Sequence, residues 1–141
     1  MSLKWIAEHP ATWDADKARV IGGAEAGIFD ARFSSCRDGE LLPGEWWHVE
    51  DDGRRVGFGW LDVVWGDAEI QIAVDPESRD QGVGRFIVEN LEKEAAAKGL
   101  RYLYNTVRPG HPRREEVSRW LESLRFRAKE DGALYRTVAR A

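Results

Sequence analysis

Residues 70–87 read IQIAVDPESRDQGVGRFI and join an apolar run to an amphipathic segment through a loop with two glycines. The run 70–74 is predicted to be a strand, and residues 86–98 are predicted to be a helix. The first N–H groups of a helix have no internal partner and lie at the positive end of its dipole. Because Gly82 and Gly84 let a ligand approach the backbone closely, the pattern indicates a phosphate site.

Two other kinds of phosphate loop are excluded by the same residues. A Walker A loop ends in Gly-Lys-Ser/Thr, whereas Gly84 is followed by Arg85 and Phe86. A Rossmann fingerprint needs a third glycine where Ile87 stands. Short glycine motifs also match by chance, so on spacing alone a surface turn with solvated arginines explains the loop equally well.

The run AVDPESRDQGVGRFI, residues 73–87, resembles motif A of the GNAT superfamily of N-acetyltransferases. The family pattern is Gln/Arg-x-x-Gly-x-Gly/Ala after a strand ending in Val-x-Pro. The resemblance implies that the loop amides bind the pyrophosphate of acetyl-CoA, and that two strands splay apart to admit the pantetheine arm. The cofactor-binding residues that it implies are Ala73, Val74, Arg79, Asp80, Gln81, Gly82, Val83, Gly84, Arg85 and Asn105.

The rest of the chain predicts a mixed α/β sheet with flanking helices. Predicted strands at residues 45–50, 55–65 and 68–74 make an antiparallel meander, in which Asp52-Gly53 marks a hairpin. A strand at 100–107 follows the loop helix and is expected to run parallel to the strand at 70–74. Further elements are predicted as helices at 13–26 and 115–124 and as a closing hairpin of 126–129 and 134–138.

Two finer expectations concern which side chains face the core. Period two places Val56, Phe58, Trp60, Asp62 and Val64 on one face of their strand. Helical spacing places Val117, Trp120, Leu121 and Leu124 on the inner side of the last helix. With no repeat or linker in sequence, residues 1–141 are expected to form one GNAT-like domain, with its central parallel pair splayed around acetyl-CoA.

Composition limits the class of protein but decides little. Lys plus Arg number 21 against 25 Asp plus Glu, so there is no basic block of the kind that nucleic acid requires. The chain has neither a signal-peptide core nor an apolar stretch that could cross a bilayer, so a cytoplasmic location is expected. The single cysteine, Cys36, excludes an internal disulfide and a cysteine-built metal site, and no metal is expected.

The resemblance also implies candidates for the chemistry. Glu69 lies at the start of the strand that leads into the loop and is the candidate base. The alternative is that Glu69 is an ordinary solvated carboxylate at the end of a strand. The family often has a tyrosine acid in its last helix, but Leu121 stands at that position. Tyr104, Tyr135 and His111 are the substitutes that could protonate a thiolate, and in some family members solvent does so.

The acceptor is the least determined part. A small-molecule amine, a peptide N-terminus or a lysine would suit the family, and a homodimer is compatible with it. Four tryptophans, Trp46, Trp47, Trp60 and Trp65, fall near the expected acceptor cleft, where they could hold an amine or simply pack in the core. We therefore expect direct transfer of acetyl from acetyl-CoA to a primary amine. The alternatives are a GNAT-like sensor that binds acyl-CoA without turnover, and a module for another phosphorylated ligand.

Overall fold

The computed structural model describes residues 2–25 and 27–139, and within them seven strands form one sheet. The strands are β1 (Leu3–Ala7), β2 (Glu45–Asp51), β3 (Arg54–Val64), β4 (Asp67–Val74), β5 (Tyr102–Asn105), β6 (Arg127–Ala128) and β7 (Leu134–Thr137). Their order is β1-β2-β3-β4-β5-β7-β6, and only β4 and β5 are parallel. The predicted meander, central parallel pair and closing hairpin are confirmed.

The helices flank this sheet. They are α1 (Ala15–Lys17), which continues as a π-helical turn over Ala18–Gly22, α2 (Val83–Ala97) and α3 (Arg114–Ser123). The helix predicted at 13–26 is therefore too long, because it ends at the glycine pair 22–23. Conversely, α2 begins three residues earlier than predicted, since Gly82 takes the N-cap position with φ of 81°.

Strand β1 was not predicted. It pairs with β2 from Leu3↔Asp51 to Ala7↔Trp47, and Trp5 stacks on Trp47 with ring centroids 5.5 Å apart. Its five residues show no clean alternation, and about forty residues separate it from its partner, so neither periodicity nor a hairpin signal marks it.

The two faces of the sheet pack against different layers. Helix α2 buries Val83, Ile87, Val88, Leu91 and Ala95 on one face, against side chains such as Leu61, Ile70 and Leu103. Segment 11–42 covers the other face with a second core, whose buried members include Trp13, Phe33, Trp46, Phe58 and Trp60. The site described below lies where these two layers meet at the edge of β4.

Two expectations about facing residues are wrong. Val56 does not share a face with Phe58 and Trp60, because a bulge opposite Val49 and Glu50 shifts the register and turns Val56 towards α2. Trp120 is only partly an inward residue of α3, since its ring packs on Gly84 of α2 while 37% of it is exposed. In the described part of the chain, no helix has the length and apolar character needed to cross a membrane.

Candidate active site

The N-terminus of α2 opens into a cleft of about 610 Å³. Gly82 caps the helix in the left-handed region, and within the described residues no side chain caps this turn. The first N–H groups of a helix of fifteen residues are thus available to an anion. Asp80 is also left-handed, with φ of 61°, and the predicted residues from 79 to 85 all line this cleft except Gln81.

Gly84 is needed for packing as well as for access. A Cβ at Gly84 would lie 2.8 Å from Cζ2 of Trp120, so only glycine lets α3 come this close to the first turn of α2. Trp120, half exposed, thereby becomes a wall of the cleft. Gly82 differs, because a Cβ there would meet nothing within 4 Å and only the backbone conformation favours glycine.

The loop before α2 is braced by a buried carboxylate. Asp75 accepts from the N–H of Glu77 and pairs with Arg19 and Arg54. Burial alone would raise the pKa of Asp75, but the Glu77 N–H and the Arg19 guanidinium lower it below its ordinary value. Since Arg19 also lines the cleft, the ion pair joins the first helical segment to the phosphate end of the site.

Strands β4 and β5 form a wedge. They pair only at Ala68↔Leu103 and Glu69↔Tyr104, so β5 ends earlier than predicted. The Asn105 side chain then donates to the Ile70 carbonyl at 2.8 Å and so satisfies a backbone group that the divergence leaves without a strand partner. The pairing of β3 with β4 is unbroken, so successive residues of β4 point their backbone groups alternately towards β3 and towards β5. The N–H groups of Ile72 and Val74 therefore point to the β5 side, as the Ile70 carbonyl does.

Glu69 lies at the apex of the wedge. Tyr104 donates its hydroxyl to Oε2 of Glu69 at 2.9 Å. Burial and then this bond raise the pKa of Tyr104, which makes its proton harder to give up and leaves the phenol as an orienting donor. Glu69 is half-buried and does not line the large cleft itself, whereas Gln71, two residues further on the same face, does.

A smaller pocket adjoins the large cleft beside Glu69. Phe29, Gln71 and Arg108 line both spaces, so the two pockets are neighbours. Asp62 is directly opposite Glu69 in the β3–β4 ladder and lines the same small pocket. Burial first, and then the charge of Glu69, raises the pKa of Asp62. The pocket has an aromatic wall and holds charges of both signs, because Arg32 and Arg108 line it together with Asp30, Asp62 and Glu69.

The other proton-donor candidates do not line the small pocket of Glu69. The Tyr135 hydroxyl donates to Asp131 at 3.2 Å, and burial and that bond raise its pKa. His111 lines the large cleft, and burial lowers its pKa, which favours the neutral ring. Leu121 is 2% exposed and has no proton to give.

The four tryptophans have different surroundings. Trp46 and Trp60 stack with centroids 4.1 Å apart in the second core, and Trp47 is buried against Trp5. Trp65 is 92% exposed at the β3–β4 turn. Trp60 alone among them lines the small pocket, so core packing accounts for most of this set.

Some lining residues escaped sequence reasoning. Gln71 could have been found, because it follows Glu69 by two residues and period two puts it on the same face. Arg19, Phe29 and Arg108 carry no local signal, since loops and helical turns distant in sequence bring them to the cleft. Close contact between two loops helps to do so, as a Cβ at Gly27 would clash with the Gly110 carbonyl oxygen.

Comparisons with known proteins agree with this geometry. The chain is similar to the ribosomal-protein-S18-alanine N-acetyltransferase from Escherichia coli, with 21% identity over 99% of this chain and 96% of that chain, at a TM-score of 0.67. It is similar to N-acetylglutamate synthase from Neisseria gonorrhoeae, complexed with coenzyme A and N-acetyl-glutamate, with 18% identity, 99% and 36% coverage, and a TM-score of 0.71.

A third similar structure is a phosphinothricin acetyltransferase from Sinorhizobium meliloti in complex with AcCoA, with 18% identity, 68% and 62% coverage, and a TM-score of 0.54. At these identities the structures show a common fold. No curated protein matches the chain in sequence. The model of the acetyltransferase (GNAT) family matches residues 5–117, which is most of the chain. The chain therefore belongs to the GNAT family of N-acetyltransferases.

Proposed function

We propose that this protein binds acetyl-CoA in the wedge between β4 and β5 and transfers the acetyl group directly to a primary amine. The observation that carries the proposal is the continuity of the site. An uncapped helix N-terminus, an open strand edge and a carboxylate beside an aromatic pocket follow one another along a single cleft and its side pocket. They suit pyrophosphate, pantetheine and amine respectively.

The loop from Arg79 to Arg85 would hold the pyrophosphate through the N–H groups at the start of α2. Arg79 is free of ion pairs within the described residues, whereas Arg85 already pairs with Glu89 at 2.9 Å, so Arg79 is the better source of positive charge. Ala73, Val74 and Asn105 would border the pantetheine arm along the splayed strands. Because Asn105 is tied to Ile70, its effect on the ligand is to keep the wedge open.

In the reaction, the nitrogen of a neutral amine attacks the thioester carbon. The carbonyl oxygen becomes an oxyanion, for which the N–H groups of Ile72 and Val74 are the donors on the open edge of β4. Before the attack Glu69 removes the ammonium proton, directly or through a water molecule, and the second proton leaves the nitrogen to solvent as the amide forms. The C–S bond then breaks, and the CoA thiolate leaves and is protonated by solvent. Tyr104 is a positioning residue that fixes Glu69 by its hydrogen bond.

The acceptor is a primary amine on a small molecule or a peptide. The similar structures include one enzyme named for a protein alanine and one complexed with N-acetyl-glutamate, so the fold accommodates acceptors of both sizes. Carboxylates outnumber guanidinium groups in the small pocket, where Asp30, Asp62 and Glu69 lie with Arg32 and Arg108, and this excess of negative charge supports an amine acceptor. A cytoplasmic location and a homodimer stay predictions.

Glu69→Gln tests the proposal. If Glu69 is the base, kcat falls by roughly 10²–10⁴-fold and the pH dependence of the rate changes, while the Kd of acetyl-CoA, measured by calorimetry, stays the same. Glu116→Gln is the matched control, because Glu116 lines the large cleft from α3 and does not line the small pocket of Glu69. An unaltered pH–rate profile in Glu69→Gln would remove Glu69 from the mechanism. Binding of acetyl-CoA without turnover on any amine would favour the sensor.

A further inference from the structure

Three tyrosine rings lie together on the face of the sheet that carries Glu69. Tyr102 and Tyr104 alternate along β5 and share a face, and Tyr135 is opposite Tyr104 on β7. The rings of Tyr104 and Tyr135 stack with centroids 5.3 Å apart, and Tyr102 meets Tyr135 edge-on at 6.1 Å. All three are only half-buried, so the cluster has a surface that solvent and ligands reach.

An ammonium group occupies this surface. Nζ of Lys129 lies 4.7 Å from the ring centroid of Tyr102 and 4.5 Å from that of Tyr135, which is the geometry of a cation–π site. Across residues 2–25 and 27–139, no carboxylate lies within ion-pair distance of Lys129, and its side chain is exposed. The rings therefore hold a cation that is free to leave into water.

Carboxylates near the tyrosine rings also favour a cationic group at this position. Asp67 precedes Glu69 by two residues on β4 and shares its face, and Asp131 accepts from the Tyr135 hydroxyl. Oδ1 of Asp67 is buried and lacks a hydrogen-bond partner among the described residues, with its nearest cation, Nε of Arg101, 3.6 Å away. Arg101 thus already pairs with this carboxylate, and Asp67 contributes negative charge to the face next to the tyrosine rings.

The rings also connect this position to the reaction centre. Tyr104 contacts Glu69 through its hydroxyl and Tyr135 through its ring face, and Tyr135 in turn contacts the Lys129 ammonium. A ligand cation over Tyr102 and Tyr135 would thus lie on the same face as the proposed base and a short aliphatic chain away from it.

We propose that Tyr102 and Tyr135 form an acceptor subsite for a second ammonium group, which Lys129 occupies in the free protein and vacates when the acceptor binds. This inference rests on the proposed function and gives it a substrate class, namely an aliphatic diamine or polyamine. One amine is acetylated beside Glu69 while the other replaces Lys129 over the rings.

The test compares butylamine with α,ω-diamines of increasing length, from 1,4-diaminobutane to 1,8-diaminooctane, as acetyl acceptors. The quantity measured is the ratio of KM for butylamine to KM for each diamine. We expect a diamine preference that peaks at one chain length. Lys129→Ala should raise the ratio about fivefold, because the competing ammonium is removed, and Tyr102→Leu should lower it about fivefold.

Tyr102→Phe is the matched control, since it keeps the ring and should retain the preference for diamines. A ratio near one at every length, or a ratio that Lys129→Ala and Tyr102→Leu leave unchanged, would overturn the subsite. If no amine is acetylated, the proposed function fails, but the subsite is still decided by calorimetry of the same diamines with the CoA-saturated protein. Tighter binding to Lys129→Ala than to the unmodified protein supports it, and equal or absent binding refutes it.

Discussion

Lys17 is fully buried, and its replacement by methionine should destabilise the fold substantially. Its ammonium donates to Glu8 at 2.6 Å, to the Thr12 carbonyl at 2.8 Å and to Asp14 at 3.1 Å. The same group lies 5.1 Å from the ring centroid of Phe58. Methionine keeps the apolar contacts of the stem but removes every one of these polar interactions.

The expected loss of stability in Lys17→Met depends on the partners that Asp14 and Glu8 keep when the ammonium is removed. Asp14 is 31% exposed and keeps Arg55 at 3.0 Å, so water and that guanidinium compensate it. Glu8 is 9% exposed and keeps only the His48 ring, at 2.9 Å, as a side-chain hydrogen-bond partner in the described chain. Removing one partner of a buried ion pair costs about 3–5 kcal/mol. Because Asp14 keeps other partners, we expect Lys17→Met to lower the free energy of unfolding by about 3 kcal/mol.

Urea denaturation followed by tryptophan fluorescence measures this loss. Arg119→Met is the control, because its pair with Glu115 is exposed on both sides and should contribute less than about 0.5 kcal/mol. Adding Glu8→Gln to Lys17→Met should recover part of the stability, since the uncompensated charge is then gone. A loss below about 1 kcal/mol in Lys17→Met would show that the buried network does not stabilise this part of the fold.

Three further predictions concern pH, the loop and the base. Burial alone would raise the pKa of Glu8, but hydrogen bonds with His48 and Lys17 lower it below 4.5, so its ionised form stabilises the fold above that pH. Stability is then lost as the pH falls through the lower folded-state value, and Glu8→Gln should flatten the urea midpoint between about pH 5 and pH 3. Gly82→Glu should weaken acetyl-CoA binding by at least about 100-fold in calorimetry, whereas Gly82→Ala, with the same backbone strain and no charge, should weaken it far less; equal effects would contradict a pyrophosphate site. Tyr104→Phe should lower kcat about tenfold at constant acetyl-CoA affinity, because Glu69 loses a charge-assisted bond, and an unchanged kcat would show that the bond does not orient the base.

The sequence was informative where local pattern and tertiary role coincide. The strand, loop and helix from Glu69 to Ala97 were predicted in the right order, with the helix start three residues late, because apolar periodicity and the two glycines identify these elements locally. The family and the mixed sheet followed from that segment. The cofactor and catalytic assignments stay predictions, although the structure brings most of the assigned side chains to one cleft and its side pocket.

The features that could not be predicted from the sequence depend on contacts between residues that are far apart along the chain. Strand β1 forms only because β2 offers an edge about forty residues later, and the bulge at Val56 arises from a mismatch between two strands that neither strand encodes alone. The bond between Tyr104 and Glu69 is of the same kind. It exists because a right-handed crossover brings β5 beside β4 in a particular register, and a one-residue shift would have turned Tyr104 to the opposite face.

Leu121 bears on whether the protein is an enzyme or a sensor, and the chemistry of the two proton transfers favours the enzyme. An aliphatic amine is protonated at neutral pH, with an ordinary pKa of about 10.4 for a lysine-like group, so attack depends strongly on removing its proton. A thiol has an ordinary pKa of about 8.5, so its thiolate is a tolerable leaving group without an acid. With Leu121 at the position of the family's tyrosine, the protein lacks the acid that would protonate the thiolate, and this acid is less necessary than the base that deprotonates the amine. The more demanding group, a carboxylate oriented by a hydrogen bond and placed beside an amine-sized pocket, is present in Glu69. A sensor would have no use for that carboxylate, which makes the response of kcat to Glu69→Gln the observation that separates the two functions.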